Sequence, residues 1–286
     1  MLGKIAAFEF HYQLKNPVFW VAAGLFFLFS YGFVASDQVQ IGSGGNVHEN
    51  SPNALAQTQM IFSLFYMFVT TAFVANVVVR DDDTGYGPIV RSTRVTKFDY
   101  LIGRFIGAWA IATLGFAAIP LGIWIGSLMP WLDPETLGPN RLYDYLYTYF
   151  LLAVPNVLIT SALFFALATA TRSMMTTYIG VIAFLILYFV FLRSVRERPE
   201  IEGIVGVLEP FGGRAFNSIT RYWTAAERNT MLPDFSGVLL YNRLLWIALS
   251  AGFLAIAYFA YRFAEPGISK RKARKQKKAE KAVAAA

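Results

Sequence analysis

The chain has no cysteine, two histidines and few charges: only 15% of its 286 residues are Asp, Glu, Lys or Arg. Without cysteine there is no disulfide, no cysteine-ligated zinc and no thiol nucleophile. A zinc-peptidase helix needs two histidines one turn apart with a glutamate between them. His48-Glu49 runs on into Asn50-Ser51-Pro52, so the second ligand is missing, and His11 stands alone. A nucleotide-hydrolysing phosphate loop needs glycine-rich backbone donors ahead of Gly-Lys-Ser/Thr. The sole Gly-Lys, at Gly3-Lys4, leads into Ile5. The chain therefore reads as a non-enzyme, with no catalytic residue, metal or cofactor of its own, and nothing in it points to a nucleic-acid partner.

What abounds is apolar sequence, 56% of the chain. Charge-free stretches alternate with short charged ones, the pattern of a polytopic membrane protein. Backbone groups in lipid must bond within their own segment, so runs of about 20 apolar residues read as helices. Six such runs occur: Val18–Ala35, Met60–Val79, Phe105–Met129, Tyr145–Thr171, Met174–Leu192 and Leu244–Tyr261. None contains Asp, Glu, Lys, Arg or His. The predicted fold is all-α, with six transmembrane helices behind an N-terminal amphipathic interfacial helix. In that first segment Leu2, Ile5, Phe8 and Tyr12 recur at near-helical spacing, with Lys4, Glu9 and His11 between them, as in a helix lying on a membrane surface. Asn16-Pro17 then breaks it. The first span reads as uncleaved. The segment before it is long and carries Glu9, and Phe33 stands where cleavage after Ala35 needs a small side chain.

Loop charge orients the spans. With the N-terminus inside, 17 of the 25 Lys and Arg fall on the inner side and 8 outside, while carboxylates run the other way. Both termini are thus expected in the cytoplasm. Residues 1–17 form the entry helix, 18–263 the six-span domain and 264–286 a basic tail. The first outer loop, with Ser43-Gly44-Gly45, reads as a flexible connector. The second, with Pro130, Pro134 and Pro139, reads as a stiff turn. The third, 193–243, has Phe216, Ile219 and Trp223 on one face and is expected to hold short helices. The tail alternates basic residues with Ala and is expected to meet anionic lipid headgroups, or to link to a downstream domain.

Two sets of residues are functional candidates. The loop 80–104 opens with Asp81, Asp82 and Asp83, turns through Gly85, and presents Arg91 and Arg94. This mixed-charge, glycine-punctuated stretch is either a docking surface for a cytoplasmic partner or a solvated linker. One of the three carboxylates should face Arg91, Arg94 or a basic group on that partner. Within the spans, Thr70, Asn76, Asn156 and Thr160 are candidates to line a pathway, against the alternative that they bond between helices. Pro155 should bend the fourth span, with Asn156 satisfying a carbonyl freed there. Gly103/Gly107 and Gly122/Gly126 have small-xxx-small spacing. An ion-coupled carrier is disfavoured, because such carriers keep ionisable groups in the membrane.

The order of an entry helix, two spans, an acidic-Thr-Gly loop at Asp81–Gly85, and Tyr100-Leu101-Ile102-Gly103-Arg104 opening the third span resembles the type-2 family of ABC exporter permeases. Tyr86 follows the glycine and Arg104 stands where that family has lysine. Glu209-Pro210-Phe211-Gly212, Thr220-Arg221-Tyr222-Trp223, Glu227-Arg228-Asn229, Asn242-Arg243-Leu244-Leu245-Trp246 and Ser161–Thr169 look like one bacterial subgroup. There the permease is the N-terminal half of a longer chain ending in a zinc aminopeptidase. The resemblance implies a bacterial inner-membrane permease half. Its expected partners are a second permease half, identical or different, and separate ABC ATPase subunits that hold the ATP. A membrane scaffold anchoring a peptidase, without transport, is the alternative.

Overall fold

The computed structural model describes residues 1–36, 41–84, 94–195 and 198–261, with backbone alone at 82, 83 and 199. Gly85, Arg91 and the tail 264–286, all singled out above, lie outside the described residues.

Twelve α-helices are used below: α1 (Leu2–Leu14), α2 (Pro17–Ala35), α3 (Pro52–Asp83), α4 (Lys97–Phe116), α5 (Ala118–Gly126), α6 (Leu142–Thr148), α7 (Val154–Thr171), α8 (Met174–Val195), α9 (Glu202–Leu208), α10 (Gly213–Thr220), α11 (Ala225–Thr230) and α12 (Gly237–Ala260). Among the described residues there is no strand, only an isolated bridge between Gly44 and Val47. Six helical stretches are long and apolar enough to cross a membrane: α2, α3, α4 with α5, α6 with α7, α8, and α12. The protein is an all-α polytopic membrane protein.

Prolines set the breaks inside two spans. Pro120 has no N–H for the Phe116 carbonyl, and the third span is interrupted at Ala117 between α4 and α5. Pro155 has no N–H to offer the Leu151 carbonyl, and the chain passes through a π-helical turn at Tyr149–Ala153. The connection between α7 and α8 is tight. Arg172 adopts φ 50°, its N–H bonds to the Ala168 carbonyl, and the Ser173 hydroxyl caps the next helix by accepting from the Thr176 N–H.

Several helices begin earlier than their apolar runs, among them α4, which starts at Lys97 and not Phe105. Helix α3 starts at Pro52, not Met60, because Gln59 is sheltered inside the bundle and donates to Thr148. Helix α12 starts at Gly237, not Leu244, and carries Asn242 and Arg243 buried within it. The uncharged-span reading is corrected accordingly. The helices extend past the apolar runs and bury Asp81, Arg104, Asp144 and Arg243 near their ends.

Helices α3 and α7 are innermost, with about two thirds of their residues buried, against 11% for α8 and 17% for α12. The outer helices turn apolar side chains away from the bundle, such as Ile182, Ile186 and Leu187 on α8 and Ile256 and Phe259 on α12. A surface this apolar requires an apolar surround. Small residues let the helices approach, as expected where lipid removes the hydrophobic drive for association. A Cβ at Gly107 would lie 2.5 Å from the Ala6 carbonyl oxygen, and one at Gly103 would lie 3.0 Å from Ile5 Cβ. The glycine pair of α4 is therefore the seat of α1. Gly122 and Gly126 of α5 likewise meet Phe27, Ser30 and Tyr31 of α2.

Helix α1 forms as expected but faces differently. Its Glu9 and Gln13 are buried against the bundle, while Phe8 and Tyr12 are exposed and stacked on one another. The predicted apolar face is divided, with Leu2 and Ile5 half-buried and Phe8 and Tyr12 pointing outward. The reason is electrostatic, since the bundle holds cations that the Glu9 carboxylate pairs.

At the opposite end the loops pack together. Asn50 donates to the Gly138 carbonyl and Asn140, Asn229 accepts from the His48 N–H, and the Asn229 amide donates to the Asn46 carbonyl. The first loop, expected as a flexible connector, is pinned at 46–50. Segment 193–243 does contain short helices, and Phe216 of α10 is buried against Met60 and Leu152.

Candidate functional site

Four charged residues meet where α1, the end of α3 and the start of α4 converge. Glu9 is fully buried, Asp81 and Arg104 nearly so, and the Arg80 side chain is 14% exposed. Arg104 lies between the carboxylates: its Nη1 donates to Glu9 Oε2 and its Nη2 to Asp81 Oδ2 at 2.6 Å. Arg80 donates to both Glu9 oxygens, at 2.8 and 3.3 Å. Gln13 adds a bond to Glu9 Oε1 at 3.0 Å, and the Tyr100 hydroxyl one to Asp81 Oδ2 at 2.6 Å. Two carboxylates thus face two guanidiniums, with Gln13 and Tyr100 as further donors. Only such a neutral, hydrogen-bonded arrangement offsets the cost of desolvating four charges.

Aromatic rings enclose the cluster. The Arg80 guanidinium sits 4.1 Å from the Tyr12 ring centre and that of Arg104 5.7 Å from Phe8. The start of α1 is tied as well. Asp99, held by the Thr96 cap of α4, accepts from the Leu2 N–H at 3.1 Å. With every ion paired, the cluster offers no acid, base or nucleophile. It is a mechanical joint that fixes α1 to both helices flanking segment 84–96.

This joint revises the loop reading. Asp81 does not await Arg91, Arg94 or a partner's cation, because Arg104 and Tyr100 already hold it. Arg94 is exposed. Asp82 and Asp83 extend the last turn of α3. Glu9, Arg80, Tyr100 and Arg104 were missed as site residues. The available signal was a lone acid in a basic entry segment, facing arginines that bracket the loop.

The pathway candidates are dispersed. Asn156, Thr160 and Thr70 are fully or almost fully buried. The Thr160 hydroxyl bonds back to the Asn156 carbonyl, and that of Thr70 has no partner among the described residues. Asn76 is half-buried, on the α3 face that also bears exposed Ile61 and Phe65. Asn156 does not serve a carbonyl freed by Pro155. Its amide donates to Ser63 and the Phe211 carbonyl, and its oxygen accepts from Arg243 Nη1 at 2.8 Å.

Arg243 anchors a second buried network, near the end opposite α1. Its guanidinium also donates to Asn242 and the Pro210 carbonyl. Asn242 in turn donates to the carbonyls of Gly206, Val207 and Glu209. Glu209, fully buried, accepts from the Tyr188 hydroxyl and from the N–H groups of Phe211 and Arg214. Gly212 has φ +81°, and a Cβ there would overlap the Arg243 guanidinium. A cleft of about 260 Å³ opens beside this network between α3, α8 and α10, lined by Met60, Leu64, Tyr188 and Arg214 among others. The residues around Glu209 and Asn242 quoted in the sequence comparison are thus the ones that lock 198–236 onto the spans.

Compared with known proteins, the chain matches no family model and no curated sequence.

Proposed function

We propose that this protein is the membrane-spanning permease half of an ATP-driven exporter of the ABC type, working with a second permease half and with ATPase subunits on separate chains. The observation that carries the reading is the joint of Glu9, Arg80, Asp81 and Arg104. A push on segment 84–96 would pass through Arg80 and Asp81 into α3, through Arg104 into α4, and through Glu9 into α1. Three elements would then move together, as coupling to a cytoplasmic motor requires. The sequence resemblance and the split of Lys and Arg among the loops support the same reading. They favour a bacterial inner membrane with the α1 end and both termini on the cytoplasmic side. The basic tail would lie against anionic headgroups.

The test is purification of the tagged chain from its native membrane, with identification of bound partners by mass. A stoichiometric nucleotide-binding subunit, retained through size exclusion, is expected. A peptidase retained with no nucleotide-binding subunit would overturn the proposal in favour of a scaffold.

A further inference from the structure

A pocket of about 450 Å³ lies between the start of α6 and the segment joining α11 to α12. Its walls include Asp144 and Asp234, the rings of Tyr143, Tyr147 and Phe235, and Arg141. Asp144 is only 7% exposed; its carboxylate accepts no hydrogen bond from the described residues, and Arg141 is the cation that acts on it. The other deeply buried carboxylates described above, Glu9, Asp81 and Glu209, each accept at least two hydrogen bonds. The Asp144 carboxylate opens onto the pocket with Arg141 as its one nearby cation and no hydrogen-bond donor from the described residues, so a further cationic group in the pocket would stabilise it.

We propose that this pocket binds an organic ammonium ion. Asp144 and Asp234 supply the negative charge. Tyr143 and Tyr147, with ring centres 5.9 Å apart, and Phe235 supply aromatic faces of the kind that attract alkylated ammonium groups. The Tyr147 hydroxyl donates to the Pro233 carbonyl, which fixes the 233–235 wall against α6. A bare metal ion suits the site poorly. No group of three acidic or histidine side chains gathers among the described residues, and the volume far exceeds one ion. Arg141 lines the same pocket, near enough to Asp144 to act on its charge but without a hydrogen bond to it, and so offers a contact for an anionic group on the same ligand. The ammonium can come from a soluble amine or from the headgroup of a zwitterionic lipid. This inference is independent of ATP-driven transport.

The test uses the full chain in nanodiscs made only of phosphatidylglycerol, with radiolabelled choline as probe in equilibrium dialysis. One saturable site per chain is expected, weakened about tenfold or more in Asp144→Asn, since losing one member of a desolvated ion pair commonly removes that much affinity. Asp144→Asn removes a buried charge, so its thermal stability should not fall. Asp234→Asn, at an exposed residue, should weaken binding less. Repeating the titration in phosphatidylcholine nanodiscs separates the sources: loss of choline binding assigns the lipid headgroup, and retained binding a soluble amine. No saturable choline site, or a site unaffected by Asp144→Asn, would overturn the proposal.

Discussion

Arg104 and Asp81 are 23 residues apart in sequence, and Arg104 Nη2 donates to Asp81 Oδ2 at 2.6 Å. The same guanidinium holds Glu9 from α1, so one side chain connects three helices. Arg104→Ala leaves two buried carboxylates short of a cation, which typically costs about 3–5 kcal/mol. A lowered thermal unfolding temperature in detergent is expected. Adding Asp81→Asn to that variant should restore part of the loss, because Glu9 keeps Arg80 while Asp81 is the carboxylate that loses its closest cation. An unchanged melting temperature in Arg104→Ala would show that the joint contributes nothing.

Gly107 is the close-approach point for α1. Ala at this position would drive its methyl into the Ala6 carbonyl and Glu9 Cβ, and overpacking of this kind costs about 1–3 kcal/mol. Gly107→Ala should therefore speed protease clipping of the first 14 residues. Gly3→Ala, where a Cβ meets nothing within 4 Å, is the control and should be neutral or mildly protective.

At the other end, Gly212 and Arg243 compete for one space. Gly212→Ala meets both a positive φ and the Arg243 guanidinium, and about 1–3 kcal/mol of strain is expected from the backbone alone. Asn156→Asp keeps an acceptor for Arg243 Nη1 but sets an oxygen against the Phe211 carbonyl, so it should cost stability, though less than Asn156→Leu, which loses both contacts. Thermal unfolding of the three variants orders these outcomes.

Helix α11 carries a pH dependence. Hydrogen bonds from the Thr224 backbone N–H, and then from its hydroxyl, hold the Glu227 carboxyl below the usual carboxylate range. A depressed folded value means the stabilisation is present above the unfolded value of about 4.3. It is lost as pH falls from there through the lower folded value. Because Asn229 on this helix grips Asn46 and His48, amide exchange at 46–48 should rise over that window. Glu227→Gln should abolish the pH step.

Much of this architecture is legible in the sequence, and the exceptions are instructive. Apolar runs locate all six spans, because the bilayer's length requirement leaves few alternatives. Their ends are misplaced where polar residues such as Gln59 and Asn242 are buried by neighbours rather than by lipid, which no hydropathy average registers. The face of α1 was misjudged because periodicity records which residues are apolar. It does not record that Arg80 and Arg104 await an acid. Asp81 looked like its neighbours Asp82 and Asp83 in sequence. Its separate role depends on Arg104, which a linear reading cannot bring beside it. Gly103 and Gly107 were visible as a pair, but their occupant was not.

The proposed function requires segment 84–96 to receive a cytoplasmic ATPase. Thr84 and Arg94 are exposed and belong to that segment, so a photo-crosslinking residue at either position, activated in native membranes, tests the requirement directly. The account predicts an adduct with a nucleotide-binding subunit that is reduced in Asp82→Ala/Asp83→Ala at unchanged helical content, and no such adduct from Ser236 at the opposite end. Crosslinks from Thr84 and Arg94 that never reach a nucleotide-binding subunit, while Ser236 or a peptidase does capture a partner, would contradict it.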